Sequence, residues 1–389
     1  MKSLRPLDYA ALLLFIAFSA FLAWSAYATG GEDFNVYYAA ARLTLHGGNP
    51  YDYSQLAAEI ASVTEINNPY YYLPWFTWSV LPLALAPYQV ARAVWFLLNV
   101  ALWFIALFNL QKIVDWPPAG WKRWGMYLFV TLLFAWTTWG FEQVGVLIFF
   151  LLTMSLLALQ KENWTAAGIW LALLLFKPNI TALPVAAILL WFILKKNWRP
   201  TLAAGGATLA MFALSFLVTP DWLQTLLTPE KLTGLSFKFG ESGELDLIRH
   251  NTTLKDWLAI YEVTGATMIG IYAVAAIIGL AILGWTIIRS DSLAQVTAVA
   301  VLVTFALTPY ALYYDYPALT LTLFHANDTT FRKPVSKWGQ FILNALILAS
   351  LFVGATISYR YWTTVAVAAL MAFPYIATRY DVTAPNPTG

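Results

Sequence analysis

Stretches of about 18–25 mostly apolar residues recur along this chain from residue 8 to residue 378, each long enough to cross the roughly 30 Å hydrocarbon layer of a bilayer. No soluble core can absorb so many. Inside lipid every backbone polar group must find its partner within the protein, so only helices and closed barrels can span. These runs are too long and continuous for barrel strands, which leaves an all-α polytopic membrane protein. The residue balance agrees: 60% of the 389 residues are hydrophobic and 11% are charged, against about 25% charged in soluble domains.

The apolar segments can be marked at 8–28, 70–87, 88–111, 124–139, 141–160, 164–176, 178–194, 199–219, 264–288, 293–308, 313–327, 338–358 and 361–378. The first has a basic start and an Ala26-Tyr27-Ala28 stretch that could be a signal-peptide cleavage site. Its apolar run exceeds a typical signal core, so it is read as the first span. Orientation follows from Lys and Arg in short loops. Lys2, Arg5, Lys195, Lys196, Arg199, Arg289, Arg332, Lys333, Lys337 and Arg379 are placed in the cytoplasm. With 30–69 outside and Lys112, Lys122 and Arg123 inside, only one of 70–87 and 88–111 can cross. Pro74, Pro82 and Pro87 weaken 70–87, which is expected to lie in the interface or re-enter. The alternative, that it crosses, stays open. The expectation is about 12 transmembrane helices (11–13), both termini cytoplasmic, in one membrane domain over 1–389. Two long loops, 29–69 and 220–262, face outward with short interfacial helices.

A net charge of +2 gives no case for nucleic acid. With no cysteine there is no disulfide framework and no thiolate metal site, and three scattered histidines make a zinc site improbable. The 19 Trp and 21 Tyr suit the membrane interface.

Against this background "GGEDFNVYYAAARLTLHGGNPYDY", residues 30–53, stands out. Val36, Ala39, Ala40 and Leu43 can share one face of a helix over 34–46 lying flat on the membrane. Gly47 and Gly48 end it, Asn49-Pro50 turns, and 51–62 forms a second short helix. Asp33 is the N-cap of the first helix, a carboxylate fixed at headgroup height, or both. Arg42 either snorkels to lipid phosphate or pairs with an anionic substrate group.

Other polar residues fall at the same predicted outer edge. They are Glu142 and Gln143 in "WGFEQVG", Lys177 before Pro178, Tyr313, Tyr314 and Asp315 in "LTPYALYYDYPAL", and Arg249, His250 and Asn251 in the second loop. Each alone is more readily a structural pair than a functional group. Together they suit a lipid-linked anionic substrate. Lysine or histidine would hold a phosphate by charge-assisted hydrogen bonds, and a carboxylate would take a proton from an attacking hydroxyl. No Ser-His-Asp set, P-loop or Rossmann glycine pattern stands in a convincing context. His46 reads as interfacial and His325 as a cytoplasmic helix-end residue.

The opening "DFNVYYAAARLTLHGGNPYDY" resembles the signature of glycosyltransferase family 87: an aspartate, Val-Tyr-Tyr, a small-residue helix and Gly-x-x-Pro-Tyr. "YYYLPWFTWSVLPLALAPYQVARAVWFLLN", "EQVGVLIFFLLTMSLLAL", "AAGIWLALLLFKPNITALPVAAILL", "HNTTL" and "TPYALYYDYPAL" are similar to its later blocks, in the same order. The resemblance implies a GT-C-like membrane enzyme that inverts the anomeric centre. It would move a hexose, by default mannose, from a polyprenyl-phosphate donor to a glycolipid or glycan acceptor on the outer face, in a prokaryotic plasma membrane. By position Asp33 would be the catalytic base. Lys177, His250 and Asn251 would stand near the donor phosphate, and Gln143 and Tyr314 near sugar or acceptor. Tyr37, Arg42, Glu142 and Asp315 complete the substrate-binding candidates. The sequence departs from the pattern where Glu142-Gln143 replaces Gly-Gln and Asn251-Thr252-Thr253 replaces Asn-Gln-Ser. The late block lacks the histidine of the mannosyl-transferring branch. No cofactor is implied and an obligate metal is not favoured. The competing readings are a secondary transporter or flippase, and a structural membrane subunit.

Overall fold

The computed structural model describes residues 5–31, 33–63, 70–114, 120–228, 252–332, 336–357 and 361–380. The described elements are helices. The chain begins with α1 (Pro6–Thr29), α2 (Phe34–Leu45), α3 (Tyr53–Ala61), α4 (Pro74–Ala84) and α5 (Tyr88–Val114). Next come α6 (Trp121–Val130), a π-turn at Thr131–Ala135, α7 (Trp136–Gly140), α8 (Gly145–Gln160), α9 (Trp164–Leu174), α10 (Pro178–Leu194) and α11 (Arg199–Val218). They are followed by α12 (Trp222–Leu226), α13 (Leu254–Ile260), α14 (Gly265–Arg289) and α15 (Leu293–Leu307). A 3-10 turn, Tyr313–Ala318, then leads into α16 (Leu319–Arg332), α17 (Lys337–Ile357) and α18 (Tyr361–Tyr380).

Among the described residues α1, α5, α11 and α14 are long and apolar enough to cross a bilayer. α14 shows why lipid must surround them: Ile269, Val274, Ile277, Ile278, Ile282 and Trp285 all lie exposed, a patch no water-soluble surface sustains. Several runs that the sequence reads as continuous are divided. The 124–139 segment is broken by the π-turn, and the 313–327 segment starts in 3-10 form. α8, α9, α10 and α15 are shorter apolar helices. The 16-residue α8 rises only about 24 Å. Its flanks are covered by protein, since it packs between α5 and α9 and against the 3-10 turn. The segment at 70–87 contains only the 11-residue α4, about 16 Å long, half the hydrocarbon thickness.

The first outer loop differs from its expected form. α2 and its Gly47 C-terminal turn occur as read: Gly47 has φ +78°, and the Gly48 amide donates to Leu43 O at 2.9 Å. α3 starts at Asp52, whose carboxylate accepts from the Ser54 and Gln55 amides. But α2 does not lie flat on a membrane with one polar face free. Every residue from Phe34 to Ala41 is buried, because α3, α4 and α5 pack on it. Its tyrosines, which look polar in a helical projection, are covered by rings. Phe34 stacks on Trp95 at 5.7 Å, and Tyr37 meets Phe76 edge-on at 5.1 Å.

Candidate active site

Asp33 precedes α2 with αR backbone angles, and its side chain makes no capping bond to the helix. The capping role open to it in the sequence is therefore not taken. Its carboxylate instead accepts from Gln143 Nε2 at 2.7 Å. A carboxylate offers only acceptors, so it fixes the amide's orientation and turns Gln143 Oε1 the other way. That oxygen accepts from Tyr37 OH at 2.8 Å and Tyr72 OH at 3.1 Å, and the two phenols are 3.0 Å apart. Burial and the neighbouring carboxylates hold both phenols well above their usual range, so they stay protonated donors.

Tyr72 carries the arrangement to a second charged group. Lys177 Nζ lies 5.7 Å from the Tyr72 ring centre and 5.4 Å from that of Tyr314. It donates to Asp315 Oδ1 at 2.5 Å, with both side chains buried. Local sequence explains both positions. Pro178 opens α10 and keeps the preceding Lys177 out of the helical region, at φ −126° and ψ 73°. Asp315 sits in the 3-10 turn, where its Oδ2 accepts from the Leu312 amide at 3.1 Å. The turn is tied to the Gln143 segment, because Thr138 Oγ1 donates to Tyr314 O at 2.8 Å. A Cβ on Gly145 would lie 2.1 Å from the same carbonyl. Only glycine permits that approach. Thr252 reaches the residues just before this turn, as its amide donates to Ala311 O at 3.1 Å.

On the other side of Gln143 stands Glu142, in the left-handed region at φ +54°, rare for a non-glycine residue. Its Oε1 accepts from Arg92 Nε at 2.7 Å, while Oε2 is buried without a hydrogen-bond partner. Burial pushes its carboxyl up to about 7, against the lowering effect of Arg92.

Of the residues singled out in the sequence, the structure joins Asp33, Tyr37 and Gln143 by hydrogen bonds, and places Lys177, Tyr314 and Asp315 alongside. Glu142 has a protein partner. Arg42 is paired with Glu59 at 3.0 Å, on the far turns of α2 from Asp33. His250 and Asn251 lie outside the described residues, as does Arg249. His46 is the exposed C-cap of α2. His325 is not at a helix end: it is half-buried in the middle of α16. Among the described residues no three His, Cys, Asp or Glu side chains stand together as a metal site.

Two participants escaped the sequence reading, Tyr72 and Arg92. Arg92 carried a signal, since it is the lone charge in the apolar run 88–111 and such charges have partners. Tyr72 carried none that separates it from Tyr70 and Tyr71.

Comparison with curated proteins and with solved structures finds no match. The profile of glycosyltransferase family 87 matches residues 70–309. That span holds Tyr72, Arg92, Glu142, Gln143 and Lys177, while Asp33 and Asp315 lie on either side of it. The match covers more than half of the chain, so the protein belongs to glycosyltransferase family 87 and is a membrane glycosyltransferase.

Proposed function

We propose that the protein transfers a hexose, with mannose as the family default, from a polyprenyl-phosphate-sugar donor to a glycolipid or glycan acceptor. The reaction takes place on the outer membrane face and inverts the anomeric centre. The observation that supports this is the placement of Asp33. Its carboxylate is not spent on capping; it is held by Gln143, whose amide oxygen accepts from Tyr72, and the Tyr72 ring lies against buried Lys177. A hydroxyl of the acceptor gives its proton to Asp33 as its oxygen attacks the anomeric carbon. The bond from that carbon to the phosphate oxygen breaks, and polyprenyl phosphate leaves. One displacement inverts the centre.

Lys177 holds the phosphate through charge-assisted hydrogen bonds, offering N–H groups beyond the one on Asp315. Tyr314 lies on the sugar side. His250 and Asn251 keep their proposed place at the phosphate. Arg42 and Glu142 are each engaged by a protein partner. An apolar groove of about 380 Å³ between α9, α10 and α11, lined by Leu171, Leu175, Val185, Leu189, Leu209 and Phe212, fits this donor class. Leu175, which lines the groove, is two residues from Lys177 in the chain.

The test is transfer of labelled sugar from polyprenyl-phosphate donors in reconstituted membranes, comparing wild type with Asp33→Asn at equal folded protein. The expected loss is at least about a hundredfold, the low end for a general base. Equal transfer by the two proteins would remove Asp33 as base. A wild type that consumes no polyprenyl-phosphate sugar, with acceptors present, would remove the donor class.

A further inference from the structure

We propose that Arg92 is a positioning residue: its guanidinium locks the end of α1 to the 140–143 turn and so holds Asp33 and Gln143 in register. The inference rests on the reading of Asp33 as base, but its geometry is independent of that reading.

Asp33 and Gln143 belong to chain segments that meet only through tertiary structure. Asp33 follows α1 by a few residues. Gln143 follows α7. Arg92, from the first turns of α5, grips both. Its Nη2 donates to Gly30 O at 2.5 Å and Tyr27 O at 3.2 Å, and its Nε to Glu142 Oε1 at 2.7 Å. Its guanidinium carbon also lies 4.7 Å from the Tyr27 ring centre. One planar group thus spans a helix C-terminus, whose carbonyls attract a cation, and the residue next to Gln143. The fork geometry is what a lysine lacks.

The surrounding chain is shaped for this grip. Gly31 has φ +121°, and a Cβ there would lie 2.4 Å from Arg92 Nη2. A Cβ on Gly30 would lie 1.8 Å from Gly140 O. The Gly31 amide donates to that same Gly140 carbonyl at 3.1 Å. Glu142 reaches Arg92 from a left-handed backbone, an arrangement rare for a non-glycine residue that persists only where its surroundings impose it. Trp95, one turn further along α5, donates its indole N–H to Glu142 O at 2.8 Å. Arg92 through its carboxylate and Trp95 through its carbonyl thus both hold Glu142, the residue next to Gln143. Arg92 is the contact that also reaches α1.

Two measurements on the full-length protein in lipid nanodiscs decide the matter. The first is hydrogen exchange of peptides carrying the Gly31, Glu142 and Gln143 amides, in wild type, Arg92→Lys and Glu142→Gln. Exchange in Arg92→Lys should quicken roughly tenfold or more at these amides, the loss of about one charged hydrogen bond, with α8 unchanged. The second is steady-state transfer from the polyprenyl-phosphate sugar. In Arg92→Lys kcat should fall about 10- to 100-fold, as for misplacement of a reacting group, with KM for the donor within about twofold. Glu142→Gln, which keeps an acceptor for Nε, should move both readouts less and in the same direction, and it serves if Arg92→Lys does not fold. Unaltered exchange overturns the proposal. So does a raised KM at constant kcat, which would make Arg92 a substrate contact. If wild-type protein transfers no sugar, the catalytic reading of Asp33 fails, and the exchange result alone still upholds or overturns the clamp.

Discussion

Two buried ion pairs flank the Asp33–Gln143 bond, and they are built differently. Lys177–Asp315 joins two side chains. Its ammonium lies between the Tyr72 and Tyr314 rings and has donors beyond the one on Asp315. Arg92–Glu142 ties two side chains to backbone as well. The guanidinium is engaged with two main-chain carbonyls as well as the carboxylate. On the proposed reading the first pair keeps a charge that an incoming anion can share. The second holds the chain still. A buried ion pair by itself does not tell which role it serves; what else its atoms hold does.

The largest effect should come from splitting the first pair. Lys177→Met leaves Asp315 buried with only the Leu312 amide to compensate it, which should cost about 3–5 kcal/mol of stability. Removing both charges, Lys177→Met with Asp315→Leu, should restore most of that stability. Transfer should be lost in both proteins if the ammonium holds the phosphate. Thermal or denaturant unfolding beside the transfer assay separates the two effects. A double variant that is stable and active would show that this pair, like the other, serves structure.

Neither pairing was legible in the sequence, for a physical reason. The helices themselves were: α2 with its glycine stop and α3 with Asp52 rest on local signals, and the apolar runs follow from length and composition. So did the list of suspicious charges, since charge at a membrane edge is costly wherever it stands. Which charge meets which is decided by packing between segments far apart in the chain, 138 residues for Lys177 and Asp315 and 50 for Arg92 and Glu142. The burial of α2 was hidden likewise. Its covering rings, Phe76 and Trp95, come from α4 and α5, and nothing within residues 34–45 announces them. Tyr72 is the clearest loss, because three adjacent tyrosines look alike until one of them faces Gln143.

The second pair should show itself through pH. The fold raises Glu142 to about 7, from an ordinary 4.5, so the folded protein binds this proton more tightly than the unfolded chain. The sign follows from linkage: stability from this group is fully present below about 4.5, falls as pH rises toward 7, and is flat above. Asp33, Arg92 and Tyr88 are the charged and titratable groups that act on Glu142 or feel its charge. The expected slope between these limits amounts to a few kcal/mol at most, and Glu142→Gln should remove it. Chemical denaturation of the two proteins at several pH values checks this. Activity should respond oppositely, rising toward neutral pH as ionised Glu142 tightens on Arg92. An acid limb that Glu142→Gln leaves in place would show that Glu142 does not govern the rate.

The smallest effects compare the two phenols that share Gln143 Oε1. Tyr37 donates at 2.8 Å from within buried α2, and Tyr72 at 3.1 Å from the segment before α4. Tyr37→Phe should cost about 1 kcal/mol, an ordinary net hydrogen bond, and Tyr72→Phe somewhat less. Either phenol left in place still satisfies the amide oxygen, so Asp33 keeps its partner and kcat should fall only severalfold. The two differ in their other neighbour. Tyr72 presents its ring to Lys177, which phenylalanine preserves, so Tyr72→Phe should leave the donor KM unchanged. Tyr72→Leu removes the ring and should raise it. If Tyr72→Phe raised KM as much as Tyr72→Leu, the hydroxyl itself would contact the donor, and Tyr72 would belong with Lys177 rather than with Gln143.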